Sequence, residues 1–471
     1  MFNKNAVLKL VQNQKKVYYY LLLLNIIISL SIFITQINRY SGDYHSYLYY
    51  VNGLHEGKYS FWYFLKEYNT DTFRNPGYPF FLYGLSLVFK SEYFYKGIQF
   101  LLIWTSILII IKLLLNITKS YIAINIFLFL LCVNCVIFIY APLIYPEALM
   151  IFLASLIIYI EMLFDNLKKR KYILLILLYS IMFQVRPAIL FIPFMRLFYN
   201  LIKYRFQFLL KDITLITFFI LSMIPYGLWN KKNHNIFKIT PLEGGAGAMY
   251  LGYWSPKMVG HVESKLWRNV MYKDVLINFS DEISSENNVK LFNSEMDSVL
   301  NICSAYLTDK DKRLLDTMKK NNHLFPTFSA GYTIKREEML KELSVQHYLN
   351  DWKYTVKLKF FSFFRLWYSG LDSNKIVQFP NFDFFLESSS FISTFATLLL
   401  FIGYFLFTFF YNRKILLILI LPLIWCLYFD IIHLPFVLQS RYTIPVRLLY
   451  LLSLSFMIYQ THFKTKENES H

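Results

Sequence analysis

GIQFLLIWTSILIIIKLLLNI (97–117) and YIAINIFLFLLCVNCVIFIY (121–140) are separated only by Thr118, Lys119 and Ser120. An α-helix rises about 1.5 Å per residue, so roughly 20 apolar residues cover a hydrocarbon core about 30 Å thick. Each run is that long; the first holds Lys112 as its only charged residue and the second holds none. The pair therefore reads as two antiparallel membrane-spanning helices joined by a tight link.

Working outward, similar runs occur at Val17–Thr35, Pro146–Phe164, Tyr172–Val185, Ala188–Ile202 and Ile213–Leu228, and again at Phe385–Tyr411, Ile415–Ile432 and Ile444–Tyr459. The whole chain of 471 residues follows suit, with 56% hydrophobic and only 17% charged residues and a mean hydropathy of +0.39. Such a composition calls for lipid as solvent. The expected fold is an all-α integral membrane protein, a multi-pass helical bundle of about ten spans or more. A small outer-side domain is expected in the long loop after the seventh span.

The net charge of +18 would suggest nucleic acid in a soluble protein. Here the basic residues sit in short links between apolar runs, where they set topology, and no nucleic-acid partner is expected. Lys4, Lys9, Lys15 and Lys16, Lys168 to Lys171, Lys203, Arg205 and Lys211, and Arg413 with Lys414 all fall on one side under this span order. By the positive-inside rule that side is cytoplasmic and holds both termini. Two polar regions then face outward, 36–95 and 230–359. Pro79–Lys90 is apolar but too short to cross, and reads as interfacial or re-entrant. The basic start before the first run has no small-residue cleavage pattern, so that run is expected to stay attached as a signal anchor. The resulting division is 1–229 for the first membrane module, 230–359 for the outer domain and 360–471 for the last helices. Glu282–Leu300 and Lys335–Leu349 look helical within the outer domain, which also carries a turn at Gly244, Gly245 and Gly247. Cys132, Cys135, Cys303 and Cys426 suggest no disulfide framework.

Chemistry-bearing residues collect at the outer ends of the runs. Asp43 stands just beyond the first, followed by His45 and Tyr47; it reads either as a helix N-cap or as a functional carboxylate, with Tyr47, Val51 and Leu54 along one docking face. Arg74, Asn75, Pro76, Gly77, Tyr78 and Pro79 form a rigid turn. An arginine fork there suits a phosphate, whether of a substrate or of a lipid headgroup. Tyr145–Pro146–Glu147, Arg186–Pro187, and Arg441–Tyr442 ahead of Pro445 complete the set. Charges at such depth are costly unless paired or functional, and each also reads as an interface anchor. Their shared side with Asp43 favours a site.

This pattern resembles the C-type membrane glycosyltransferase superfamily, especially the branch of protein O-mannosyltransferases and lipid A aminoarabinose transferases. Asp43 with Tyr47 and Gly57 is similar to that branch's first-loop motif, and Arg74 to Pro79 to its Arg-Pro-Pro-Gly-Tyr-Pro signature, with Asn75 in place of one proline. Glu147, Arg186 with Pro187, the segment Pro225–Gly252, and Arg441 with Tyr442 and Pro445 resemble the family's later motifs. The resemblance implies a glycosyltransferase in the inner (plasma) membrane with its active site on the outer, periplasmic side. It implies transfer of a sugar from a polyprenyl-phosphate donor to an envelope glycan, lipid (lipopolysaccharide) or protein acceptor, with inversion. Asp43 and Glu147 become the catalytic carboxylates, Arg74, Arg186 and Arg441 the donor-phosphate ligands, and His45, Tyr47, Tyr78 and Tyr442 the lining of the substrate site. Some relatives carry a second carboxylate beside the first, where this chain has Tyr44, so a divalent metal is permitted but not required. An O-antigen ligase or polymerase, or a lipid-linked sugar transporter, stay open as other multi-pass readings.

Overall fold

The computed structural model describes residues 13–38, 43–61, 63, 70, 71, 73–164, 168–258, 285–312, 329–367, 380–436 and 440–464. Lys4, Lys9 and Glu282 lie outside the described residues. Among those described the chain is helical, with one isolated bridge between Tyr59 and Thr70.

The helices are α1 (Gln14–Gln36), α2 (Tyr44–His55), α3 (Gly77–Val88), α4 (Glu92–Thr118), α5 (Tyr121–Val133), α6 (Glu147–Leu163), α7 (Lys169–Val185), α8 (Ile192–Tyr204) and α9 (Leu209–Leu221). They continue as α10 (Ile224–His234), α11 (Ala246–Trp254), α12 (Glu286–Ser304), α13 (Ala330–Asn350), α14 (Trp352–Arg365), α15 (Pro380–Tyr411), α16 (Arg413–His433) and α17 (Arg447–His462). Short 3-10 turns occupy Cys135–Tyr140, Pro187–Ile189, Ser255–Met258 and Ser440–Val446.

Six segments among the described residues are long and apolar enough to cross a membrane: Gln14–Gln36, Glu92–Thr118, Leu209–His234, Ile392–Tyr411, Arg413–His433 and Arg441–His462. The protein is thus a helical membrane protein. Its surface agrees, because Leu210 at 78%, Ile202 at 73% and Ile34 at 66% exposed would drive aggregation in water. The helix α1 inverts the soluble pattern outright. Its buried residues are Asn25, Ser29 and Gln36, and Asn25 Nδ2 donates to the Leu128 carbonyl of α5 at 3.0 Å. Polar groups hold helices together where lipid removes the hydrophobic drive.

The helices in the four other expected spans are shorter, and two of those runs differ from the sequence reading. The run 121–140 is not one helix, because α5 stops at Asn134, whose side chain bonds back to the Leu130 carbonyl and across to Thr397 Oγ1. Such local bonding competes with the helix. The run 188–202 divides into a 3-10 turn after Arg186 and the 13 residues of α8, a rise of about 20 Å. Pro187 and Pro193 set that break.

The helices α4, α5, α6, α16 and α17 pack into one core, in which α6 is buried along most of its length. A second, smaller core joins α11, α12 and α13 through Tyr250, Trp254, Phe292, Val299, Cys303, Tyr332 and Leu340. The four cysteines are free.

Gly77 opens α3 directly against the end of α7, where an added Cβ would stand 2.4 Å from the Gln184 carbonyl carbon and 2.5 Å from the Val185 nitrogen. Backbone cannot yield as a side chain does. Gly77→Ala is therefore expected to destabilise the protein by about 1–3 kcal/mol or more, read as a lower thermal midpoint in detergent. An unchanged midpoint would contradict this close approach.

Candidate active site

Asp43, Arg74, Glu147, Arg186 and Arg441 come from five separated points of the chain and line one cavity of about 160 Å³. Four stand at or beside an element's end, and Arg74 lies in the turn that leads into α3. Asp43 occupies the N-cap position of α2 without making a capping bond, so its carboxylate is left for other partners. Glu147 opens α6, Arg186 closes α7, and Arg441 lies in the 3-10 turn before α17. Tyr47, Phe73, Asn75, Tyr78, Pro146, Val185, Pro187 and Pro241 complete the wall.

The turn that carries Arg74 is built from its neighbours. Buried Asp71 accepts from Tyr50 Oη and from the Phe61 and Phe73 amides. The Arg74 carbonyl accepts from Tyr59 Oη at 3.0 Å and Tyr226 Oη at 3.3 Å, while Asn75 Nδ2 donates to the Phe183 carbonyl at 3.1 Å. These bonds tie the first loop to α7 and α10, and so preorganise the guanidinium.

Asp43 holds two arginines, accepting from Arg74 Nη2 on Oδ1 and from Arg441 Nη1 on Oδ2, both at 2.7 Å. Burial pushes this carboxyl upward, but Arg74 and Arg441 outweigh it and hold it well below the usual carboxylate range. Glu147, only 1% exposed, meets Arg186 Nη1 at 3.5 Å through Oε1, and its Oε2 has no hydrogen-bond partner among the described residues. Arg74 Nε and Arg441 Nε are likewise buried without one among the described residues. Three guanidiniums less two carboxylates leave one positive charge in excess. The cavity thus carries net positive charge, which suits an anion.

Aromatic rings fix the planes of the arginines. Arg74 lies over Phe73 at 4.1 Å and Tyr47 at 5.0 Å, Arg441 over Tyr145 at 5.4 Å, and Arg186 over Tyr442 at 5.2 Å. Burial raises the Tyr47 phenol to about 12, against the opposing pull of Arg74, so it stays a neutral hydrogen-bonding group at neutral pH. Tyr78 meets Tyr47 edge to face and donates to Gln99 Oε1 at 2.5 Å.

Of the residues singled out from sequence, Asp43, Arg74, Glu147, Arg186, Arg441, Tyr47 and Tyr78 meet at this cavity. Tyr442 stands behind it, stacked on His433 at 4.5 Å, and supports Arg186. His45 is exposed, sits edge-on to Tyr44 and does not line the cavity. Sequence reading missed Asp71, Gln99 and Pro241, whereas Tyr145, noted beside Glu147, stands behind Arg441. Asp71, three residues before Arg74, had a local signal in an aspartate preceding a proline turn; Gln99 lay unnoticed in an apolar run.

Among the described residues no group of three or more His, Cys, Asp or Glu is placed to hold a metal ion. Comparisons with family models, curated proteins and solved structures returned no match to this chain. The site therefore has to be read from its own chemistry.

Proposed function

We propose that this protein is a C-type membrane glycosyltransferase of about ten or more spans, with both termini cytoplasmic and the cavity on the outer face of the inner membrane. It transfers a sugar from a polyprenyl-phosphate donor to an envelope glycan, lipid or protein acceptor. The observation that carries this reading is the convergence of Asp43 and Glu147 with Arg74, Arg186 and Arg441 in one cavity. Displacement at an anomeric carbon needs a base for the attacking group and cationic support for the leaving phosphate.

In the reaction, the acceptor oxygen or nitrogen attacks the anomeric carbon and its proton passes to Asp43. The bond from that carbon to the phosphate oxygen breaks, and polyprenyl phosphate leaves with the electron pair, neutralised by the arginines. A single displacement inverts the anomeric centre. Glu147 orients Arg186 and stands in the cavity wall, where a sugar hydroxyl would be its partner.

The test is transfer by the purified protein in liposomes, using a panel of radiolabelled polyprenyl-phosphate sugars and an envelope extract. Label is expected in the acceptor fraction from at least one donor, and Arg74→Ala is expected to reduce it by about a hundredfold or more. Failure of every donor with folded protein, together with failure to bind polyprenyl phosphate, would refute the assignment.

A further inference from the structure

The proposed base is fully engaged. Asp43 spends one oxygen on Arg74 and the other on Arg441, each at 2.7 Å, whereas Glu147 touches Arg186 at 3.5 Å with one oxygen to spare. A carboxylate in that position presents two anionic oxygens to two separate guanidiniums. So do the two non-bridging oxygens of a phosphodiester. The Asp43 side chain is 27% exposed and the cavity reaches it, so another anion has access to the same donors.

We propose that Asp43 is an internal stand-in for the donor's phosphate, so that donor binding displaces it from Arg74 and Arg441 and only then frees it to act as a base. The inference rests on the glycosyltransferase reading and adds an order of events to it. Before the donor arrives both arginines are engaged by Asp43, and Asp43 is too weak a base to activate an acceptor or water. The incoming phosphate takes over the two forks and adds negative charge beside the released carboxylate, which raises its basicity. The donor therefore binds first and the acceptor second. Arg186 stays with Glu147 and is the guanidinium open to the first encounter.

Competition between Asp43 and phosphate for the same arginines gives a test of unusual sign. Binding of radiolabelled farnesyl phosphate, with farnesol as the control lacking phosphate, is measured on the full chain in nanodiscs. Wild type is compared with Asp43→Asn and with Glu147→Gln, which removes the same charge from the same cavity. Asp43→Asn is expected to bind farnesyl phosphate about tenfold more tightly than wild type, and Glu147→Gln to tighten it by a smaller factor, because it releases one guanidinium rather than two. Asp43→Ser carries the same expectation should the asparagine variant fail to fold. Unchanged or weaker binding in the Asp43 variants overturns the stand-in, because Asp43 would then be organising the arginines rather than occupying them. Equal tightening in Glu147→Gln overturns it too, as a mere effect of charge. If no form prefers farnesyl phosphate over farnesol, it is the glycosyltransferase reading itself that fails.

Discussion

Asp43→Asn is expected to lower sugar transfer by about a hundred- to ten-thousand-fold, the range set by losing a positioned general base. The asparagine keeps the size of the side chain but cannot take the acceptor's proton. It also releases Arg74 and Arg441, so the Michaelis constant for donor is expected to fall while kcat collapses. That split separates a lost base from a damaged fold, in which donor affinity would drop as well. Initial rates over a range of donor concentrations, with thermal stability matched to wild type, make the measurement. Turnover within a few-fold of wild type would remove Asp43 from the mechanism.

Arg196→Met is expected to cost about 3–5 kcal/mol of stability, and to show as loss of monodisperse protein after mild heating in detergent. At the far end of α6 and α7 from the cavity, Arg196 is 1% exposed and bonds both Glu161 and Asp212. Lys171 Nζ approaches Glu161 at 3.3 Å, and Asn200 Nδ2 donates to Asp212 at 2.9 Å. Methionine fills much of the volume but leaves two buried carboxylates to one lysine. Adding Asp212→Asn alone should recover most of the loss, since Lys171 then balances Glu161 and no uncompensated charge remains. No recovery would mean that shape, not charge, makes Arg196 necessary.

The two ends of the α6–α7 pair are related. Glu147 meets Arg186 at one end and Glu161 meets Lys171 at the other. The 14 residues from Glu147 to Glu161 rise about 21 Å, and the 15 from Lys171 to Arg186 about 22 Å, so the pairs are in register on antiparallel helices. The Glu161 clamp holds the two helices in register, and the register places Arg186 against Glu147. A change at Arg196 thus bears on the cavity through helix position, without touching it.

Membrane class was legible in the sequence, because a run of about 20 apolar residues has few alternatives to a spanning helix. So were the first loop's Asp43 and the rigid turn after Arg74, which proline and glycine mark locally. Helix ends were less legible. Asn134 and Pro187 break runs whose hydropathy is continuous, since hydropathy averages over the single side chain that competes for a backbone carbonyl.

By itself the sequence determined that the chain is a helical membrane protein, and that its chemistry-bearing residues sit at the ends of apolar runs. Both follow from composition and local order, which need no knowledge of neighbours. Only the tertiary structure decided that Asp43 faces Arg74 and Arg441 at once, that Glu147 keeps a free oxygen, and that His45 stands aside. Arg441 lies 398 residues from Asp43 in the chain. A contact over such a separation depends on how α6, α7 and α17 pack, and no local pattern encodes that packing.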